Sequence, residues 1–306
     1  MSSSPLPTTQ SASLSSTQTG MLFAVCAYTM WGFAPIYFKQ LVHINAAEIL
    51  MHRVIWAAVV LLGLVIGLKQ ISKITQALVD KKVMAILVCA GILLGLNWWL
   101  FIWAVNNDHL LEASLGYYIN PLFNVLFGFI FLGERFRTLQ RFAVGLAFTG
   151  VAILMFSFGD IPYIALALAL SFSLYGLLRK QVNVDSIPGL FIETCMMLPL
   201  AIGYWLWIDS PTANFANNPM SLNLLLVCAG VVTTAPLLCF TAAARRLLYS
   251  TLGFFQYIGP SLMFILAVVI YQEPFNIERM ITFGFVWLGL AVFSYDAWRH
   301  YRKQTI

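Results

Sequence analysis

HLLEASLGYYINP at residues 109–121 and RLLYSTLGFFQYIGP at residues 246–260 are two versions of one segment. Working outward, each is preceded by VCAG, at 88–91 and 227–230, and followed by an acidic turn, GERF at 133–136 and QEPF at 272–275. Gly91 to Pro121 and Gly230 to Pro260 are both separated by thirty positions. Four anchors recurring in one order are the mark of an internal duplication.

Composition places the duplicated unit in a membrane. Sixty per cent of residues are hydrophobic and 9% are charged, with a mean hydropathy of +0.84, which a water-soluble domain cannot cover with polar surface. A span needs roughly 20 apolar helical residues. The sequence gives room for ten: 21–41, 46–68, 83–105, 110–132, 139–158, 161–178, 187–208, 221–244, 251–271 and 280–298. The predicted fold class is an all-α membrane protein, ten transmembrane helices in two five-helix repeats. The predicted boundaries are a disordered cytoplasmic tail at 1–19, the repeats at 20–158 and 159–299, and a basic cytoplasmic tail at 300–306.

Lysine and arginine orient the chain. With a cytoplasmic N-terminus, fourteen basic residues lie in inside segments: Lys69, Lys73, Lys81, Lys82, Arg135, Arg137, Arg141, Arg179, Lys180, Arg245, Arg246, Arg299, Arg302 and Lys303. Only Lys39 and Arg279 lie outside, and Arg53 lies in a span. This bias puts both termini in the cytoplasm. Five spans per repeat make the second copy inverted, and its charges follow: the turn at 106–109 has no Lys or Arg, whereas its counterpart carries Arg245 and Arg246. The net charge of +5 therefore reflects orientation in a lipid bilayer, not nucleic-acid binding.

Residues 2–19 are uncharged and rich in Ser and Thr, without the basic start of a signal peptide, so the first span reads as an uncleaved insertion signal. All five cysteines lie in spans without metal or redox spacing, and the four histidines form no HExxH motif. No metal, cofactor or catalytic residue is expected, and an enzyme or a channel reading finds no motif to rest on.

Polar side chains inside the spans remain. Inverted repeats allow alternating access to a midplane site, and interrupted helices mark such sites. The fourth span carries Pro121 and the ninth carries Gly259 and Pro260. Each proline frees the carbonyl four residues earlier, at Tyr117 and Gln256. Tyr117, Asn120 and Asn124 form a polar stripe at i, i+3 and i+7. Asn97 and Trp98 of the third span, Thr233 and Thr234 of the eighth, and Gln256 and Tyr257 of the ninth complete the candidate substrate-binding set. Each alone reads equally as interhelical glue; their gathering on four spans of two mirrored repeats favours a site. The fifth and tenth spans look peripheral. Gly63 with Gly67, and Gly91 with Gly95, have the spacing of close helix packing.

Ionisable groups at the span ends form a second set. Glu48, His52 and Arg53 open the second span at its outer end, with Glu112 and Lys39 on the same side. Glu193 lies near the inner end of the seventh, with Arg179, Lys180, Arg245 and Arg246 as candidate partners. Charges at such depth face a cavity or an ion partner. Gate salt bridges, coupling carboxylates and static clamps all fit.

AYTMWGFAPIYFKQ at 27–40, EILMHRVIW at 48–56, NWWLFIWAVNNDHLLEASLGYYINPL at 97–122 and STLGFFQYIGPSLMF at 250–264 closely resemble the EamA group of the drug/metabolite transporter superfamily. The resemblance covers all but the first twenty residues. It implies ten helices in two inverted repeats, an inner-membrane permease, a link to chloramphenicol sensitivity, and small polar or amphipathic molecules as the substrate class. It brings no ligand residue. The combined expectation is a secondary-active exporter of small metabolites or drugs, with a homo-oligomer compatible. The alternative is a non-transporting accessory protein that changes drug sensitivity indirectly, with a dry, tightly packed centre.

Overall fold

The structure, a computed structural model, describes residues 15–107, 109–208, 210, 212–270, 272 and 277–304. Among them every regular element is helical: α1 (Ser16–Lys39), α2 (Ala46–Gly67), α3 (Ile71–Val79), α4 (Lys81–Asn106), α5 (Leu110–Leu132), α6 (Thr138–Phe158), α7 (Tyr163–Gln181), α8 (Ser186–Trp207), α9 (Met220–Ala244), α10 (Tyr249–Gln256), α11 (Ile258–Ile265) and α12 (Ile277–Gln304). Ten segments are long and apolar enough to cross a membrane, α10 and α11 with a π-helical end at Leu266–Ile270 counting as one.

One boundary and one added helix differ from expectation. Residues 15–19, expected in the tail, enter α1: Ser15 accepts from the Gln18 amide while the Gln18 side chain accepts from the Ser15 amide, a capping box that satisfies free amides of the first turn. Residues 1–14 of that tail, and Glu273, Pro274 and Phe275 of the second acidic turn, lie outside the described residues. The short helix α3, absent from the sequence reading, lies between the second and third spans. Its Ile74 and Ala77 pack with Leu87, Val182, Val184 and Ile192.

The two central prolines act differently. Pro260 lies just beyond the break at Tyr257, where α10 gives way to α11. Pro121 leaves α5 continuous from Leu110 to Leu132, contrary to a matched interruption. Membrane helices tolerate one missing donor where neighbours support the helix, and here Gly253 of α10 rides directly on the Pro121 carbonyl.

The helices pair in a pattern of exchange. α1 packs on α9 and α4 on α7; α2 packs on α9 and α4 on α8; α5 packs on α7 and α1 on α11; α2 meets α8, α5 meets α10, and α6 meets α12. The α6–α12 seam is closed by Gly150 against Thr282 and Phe285 and by Gly289 against the Ala143 carbonyl, the close backbone approach that small residues permit. Gly91 and Gly95 face Glu193, Met196 and Met197 of α8. Gly63 and Gly67 do not pack as their spacing predicts, because that stripe of α2 meets no neighbour.

Candidate functional site

One end of the bundle, here the basic face, gathers Lys73, Asp185 and Arg245. Asp185, at the start of α8, accepts from Lys73 Nζ at 2.6 Å and Arg245 Nη1 at 2.5 Å. Arg245 first and Lys73 second hold its carboxyl down at about 2 against an ordinary 3.8. Lys180 donates to the Ala244 and Leu247 carbonyls, closing the C-terminal end of α9. Glu134 accepts from the amides of Tyr249 and Ser250 at 2.5 and 2.9 Å and from Ser250 Oγ at 2.5 Å, capping α10 from the α5–α6 turn.

Above this layer sits a sealed ion pair. Arg179 and Glu193 are both fully buried, with Nη1 to Oε1 at 3.4 Å, and Tyr175 donates its hydroxyl to Glu193 Oε2 at 3.2 Å. Tyr175 and Arg179 share a face of α7 at i and i+4. The guanidinium lies flat against Gly189, where no Cβ fits. Of the four expected partners of Glu193, Arg179 is the one that pairs with it. An aromatic plug continues inward: Tyr28, Trp31, Phe172, Tyr175 and Phe240 pack ring against ring.

The midplane amides join helices. Asn97 donates to the Leu168 carbonyl and Ser171 Oγ, both at 2.9 Å. Asn120 donates to the Ala169 carbonyl at 2.8 Å and Ser173 Oγ at 3.0 Å. Asn124 donates to Gln256 Oε1 at 2.8 Å, and Tyr257 donates to the Tyr118 carbonyl at 3.3 Å. The acceptor atoms stay open: the buried Oδ1 atoms of Asn120 and Asn124, and Thr234 Oγ1, have no hydrogen-bond partner among the described residues.

Toward the opposite face the residues part company. Glu48 and Arg53 do not pair with each other, because five residues of helix turn them about 140° apart. Glu48 instead accepts from Ser210 Oγ at 2.8 Å and Thr212 Oγ1 at 2.6 Å, tying down the α8–α9 loop. His52 lies one turn on, edge-to-face against Trp205 and Phe215. A cavity of about 620 Å³ opens beside them, lined by Trp56, Trp205, Ser210 and Phe215 among others. Glu112, expected nearby, caps α7 through the Ile164 amide at 2.7 Å and lies 3.6 Å from His109.

Arg53 turns inward. Its Nε donates to Thr233 Oγ1 at 2.9 Å, and its guanidinium stacks over Trp98 and Phe38, 5.0 and 5.5 Å from the ring centroids. Tyr37 and Tyr117 stand within electrostatic reach. Arg53 is half-buried and Tyr117 is 42% exposed, so both keep accessible surface. Thus the structure brings Trp98, Tyr117 and Thr233 around Arg53, and it groups Asn97, Asn120, Asn124, Thr234, Gln256 and Tyr257 as a bonded interhelical layer. The sequence reading missed Tyr37, Phe38, Tyr175, Gly189, Glu134 and Asp185. Only Tyr175, at helical spacing from Arg179, left a usable signal.

Known proteins agree with this architecture. The model of the EamA-like transporter family matches twice, over residues 18–156 and 161–295. An uncharacterized transporter of Vibrio cholerae is 57% identical over 90% of this chain and 92% of its own length. Protein RarD of Escherichia coli is 53% identical over 92% and 95%, and the chloramphenicol-sensitive protein RarD of Pseudomonas aeruginosa is 30% identical over 94% and 97%. A crystal structure with 18% identity superposes with a TM-score of 0.71 over 90% of this chain and 97% of its own, a likeness of fold. The chain therefore belongs to the EamA-like transporter family, as a RarD-type, multi-pass bacterial membrane transporter.

Proposed function

We propose that the protein is a secondary-active exporter of small metabolites or drugs, working in the bacterial inner membrane with both termini cytoplasmic. Its two units, 20–158 and 159–299, act as inverted repeats that rock about the midplane and expose it to one side at a time. The observation that carries this reading is an asymmetry of access. The fully buried Arg179–Glu193 pair and the aromatic plug close the basic face, whereas Arg53 and Tyr117 reach accessible space toward the other. That is one of the two states an alternating-access carrier must visit. The double family match and the exchanged helix pairing support the repeat.

The driving force is an ion gradient, a counter-substrate or the substrate's own gradient, and chloramphenicol belongs in the test panel because a relative's name carries it. The deciding measurement is flux from proteoliposomes loaded with a panel of amino acids, organic acids and antibiotics. Protein-dependent, saturable flux of at least one compound supports carriage; none across the panel leaves the accessory-protein reading in its place.

A further inference from the structure

Among the described residues, Arg53 is a cation with no anion paired to it. It sits eight residues into α2, about 10 Å along the helix axis from its start, at a depth where an unpaired arginine is costly. Such groups face a partner or a cavity. Two aromatic faces and one hydroxyl hold the guanidinium, and cation–π contacts of this kind offset part of that cost. No described carboxylate makes an ion pair with it.

Its donors are mostly unspent. Of five N–H groups, one goes to Thr233. The four on the two Nη atoms make no hydrogen bond to a described residue, and neither Nη is sealed from accessible space. Arg179 presents the contrast, since its guanidinium is enclosed and Glu193 neutralises it. A planar fork with free Nη edges matches a carboxylate through two parallel bonds. The walls beside it are the rings of Trp98 and Phe38, with Tyr37 and Tyr117 within electrostatic reach.

We infer that Arg53 is the anion anchor of the transport site, and that the substrate is a small carboxylate with an apolar or aromatic body. The carboxylate takes the Nη edge, the body lies against the aromatic walls, and Thr233, on a helix of the other repeat, fixes the guanidinium plane. This rests on the transporter reading for its physiological meaning, but anion recognition is measurable by itself.

The test is calorimetric titration of the full chain in a neutral detergent with 3-phenylpropanoate and with 3-phenylpropanamide, near-isosteres that differ in charge. The carboxylate is expected to bind about tenfold or more tightly than the amide, the scale of one charge-assisted bidentate contact. Arg53→Gln abolishes that preference and Arg53→Lys keeps part of it. Thr233→Val, which retains the charge and loosens its hold, lowers the preference several-fold and carries the test where Arg53→Gln fails to fold. Equal binding of the two probes, binding of neither, or a preference that survives Arg53→Gln overturns the inference. Short-chain phosphatidylglycerol is the competing anion; displacement of the probe by this lipid at lower concentration than by free carboxylate reassigns Arg53 to a headgroup and also overturns it. Flux separates the two proposals. Transport without anion preference removes only the anchor, and anion preference without transport removes only the carrier reading.

Discussion

Arg53 and Glu193 each lie eight residues beyond the N-cap of their helix, Asn45 of α2 and Asp185 of α8. The same depth in two helices that pack on each other thus holds opposite charges with opposite surroundings. Glu193 is neutralised by Arg179 and shut in; Arg53 has aromatic faces and open space. Under the proposed alternating access, one side shut and the other open is the pattern expected of an end state.

The topology has a direct consequence. Asn107 and Asn217 lie on the face opposite the basic one, and both are exposed. In a cysteine-free background, Asn107→Cys and Asn217→Cys are expected to react with a membrane-impermeant maleimide in intact spheroplasts, while cysteines at Lys73 and Arg245 react only after lysis. Labelling in the reverse order would turn the protein over in the membrane.

Asp185 gives a pH dependence. Arg245 and Lys73 depress its carboxyl from 3.8 to about 2 in the folded protein, so its contribution to stability is fully present above about pH 5 and is lost as pH falls through 4 toward 2. The side chain is 42% exposed, and solvent screening keeps the effect below about 1 kcal/mol. Asp185→Asn is expected to lower the melting temperature slightly at pH 7, and the gap from the native protein should vanish on acidification. A gap undiminished at about pH 2, where the folded-state carboxyl is itself half protonated, would point to a role other than charge pairing.

Glu134 holds the start of α10 by three bonds and is 7% exposed. Glu134→Ala strands two buried amide groups and a hydroxyl, at a cost of about 2 kcal/mol or more. Glu134→Gln keeps the shape and loses the charge, so its loss is smaller. Unfolding by titration with SDS ranks the three proteins; equal stability of the alanine and native forms would remove the cap.

Asn124 and Gln256 join the two halves directly, at 2.8 Å. A double-mutant cycle through Asn124→Ala and Gln256→Ala is expected to give a coupling energy of roughly 1 kcal/mol, the scale of interhelical bonds in membranes. Additive effects would show that each amide acts through other partners.

Much of this was legible in the sequence. Ten spans follow from hydropathy because the bilayer fixes their length. Glu193 and its arginine partner were legible because isolated charges in an apolar run have few places to go. That Glu48 and Arg53 take different partners was not legible, since residues near in sequence can lie on different sides of a helix. Ser210 and Thr212, the real partners of Glu48, sit in a loop whose path no periodicity specifies. The role of Asn97, Asn120 and Asn124 depended on which helix faced them, and that is a tertiary fact. Gly189 looked like any membrane glycine until Arg179 was seen to lie on it.

The buried pair should behave as a latch. Breaking it by Glu193→Gln leaves Arg179 charged and enclosed, a loss of about 3 to 5 kcal/mol for the closed arrangement, and opening the basic face to water relieves that penalty. Gly189→Ala acts in the same direction by pushing the guanidinium out of its seat. Replacing both charges by apolar groups, Arg179→Met with Glu193→Leu, restores a dry contact and should keep the face shut. Ala243, fully buried near the basic end of α9, is the reporter. In inside-out vesicles carrying Ala243→Cys on a cysteine-free background, an impermeant maleimide is expected to label Glu193→Gln and Gly189→Ala proteins faster than the native or doubly apolar ones. Melting curves of the same proteins separate opening from unfolding: faster labelling at a retained melting transition is the latch, whereas unchanged labelling in all variants would make Arg179–Glu193 a fixed strut.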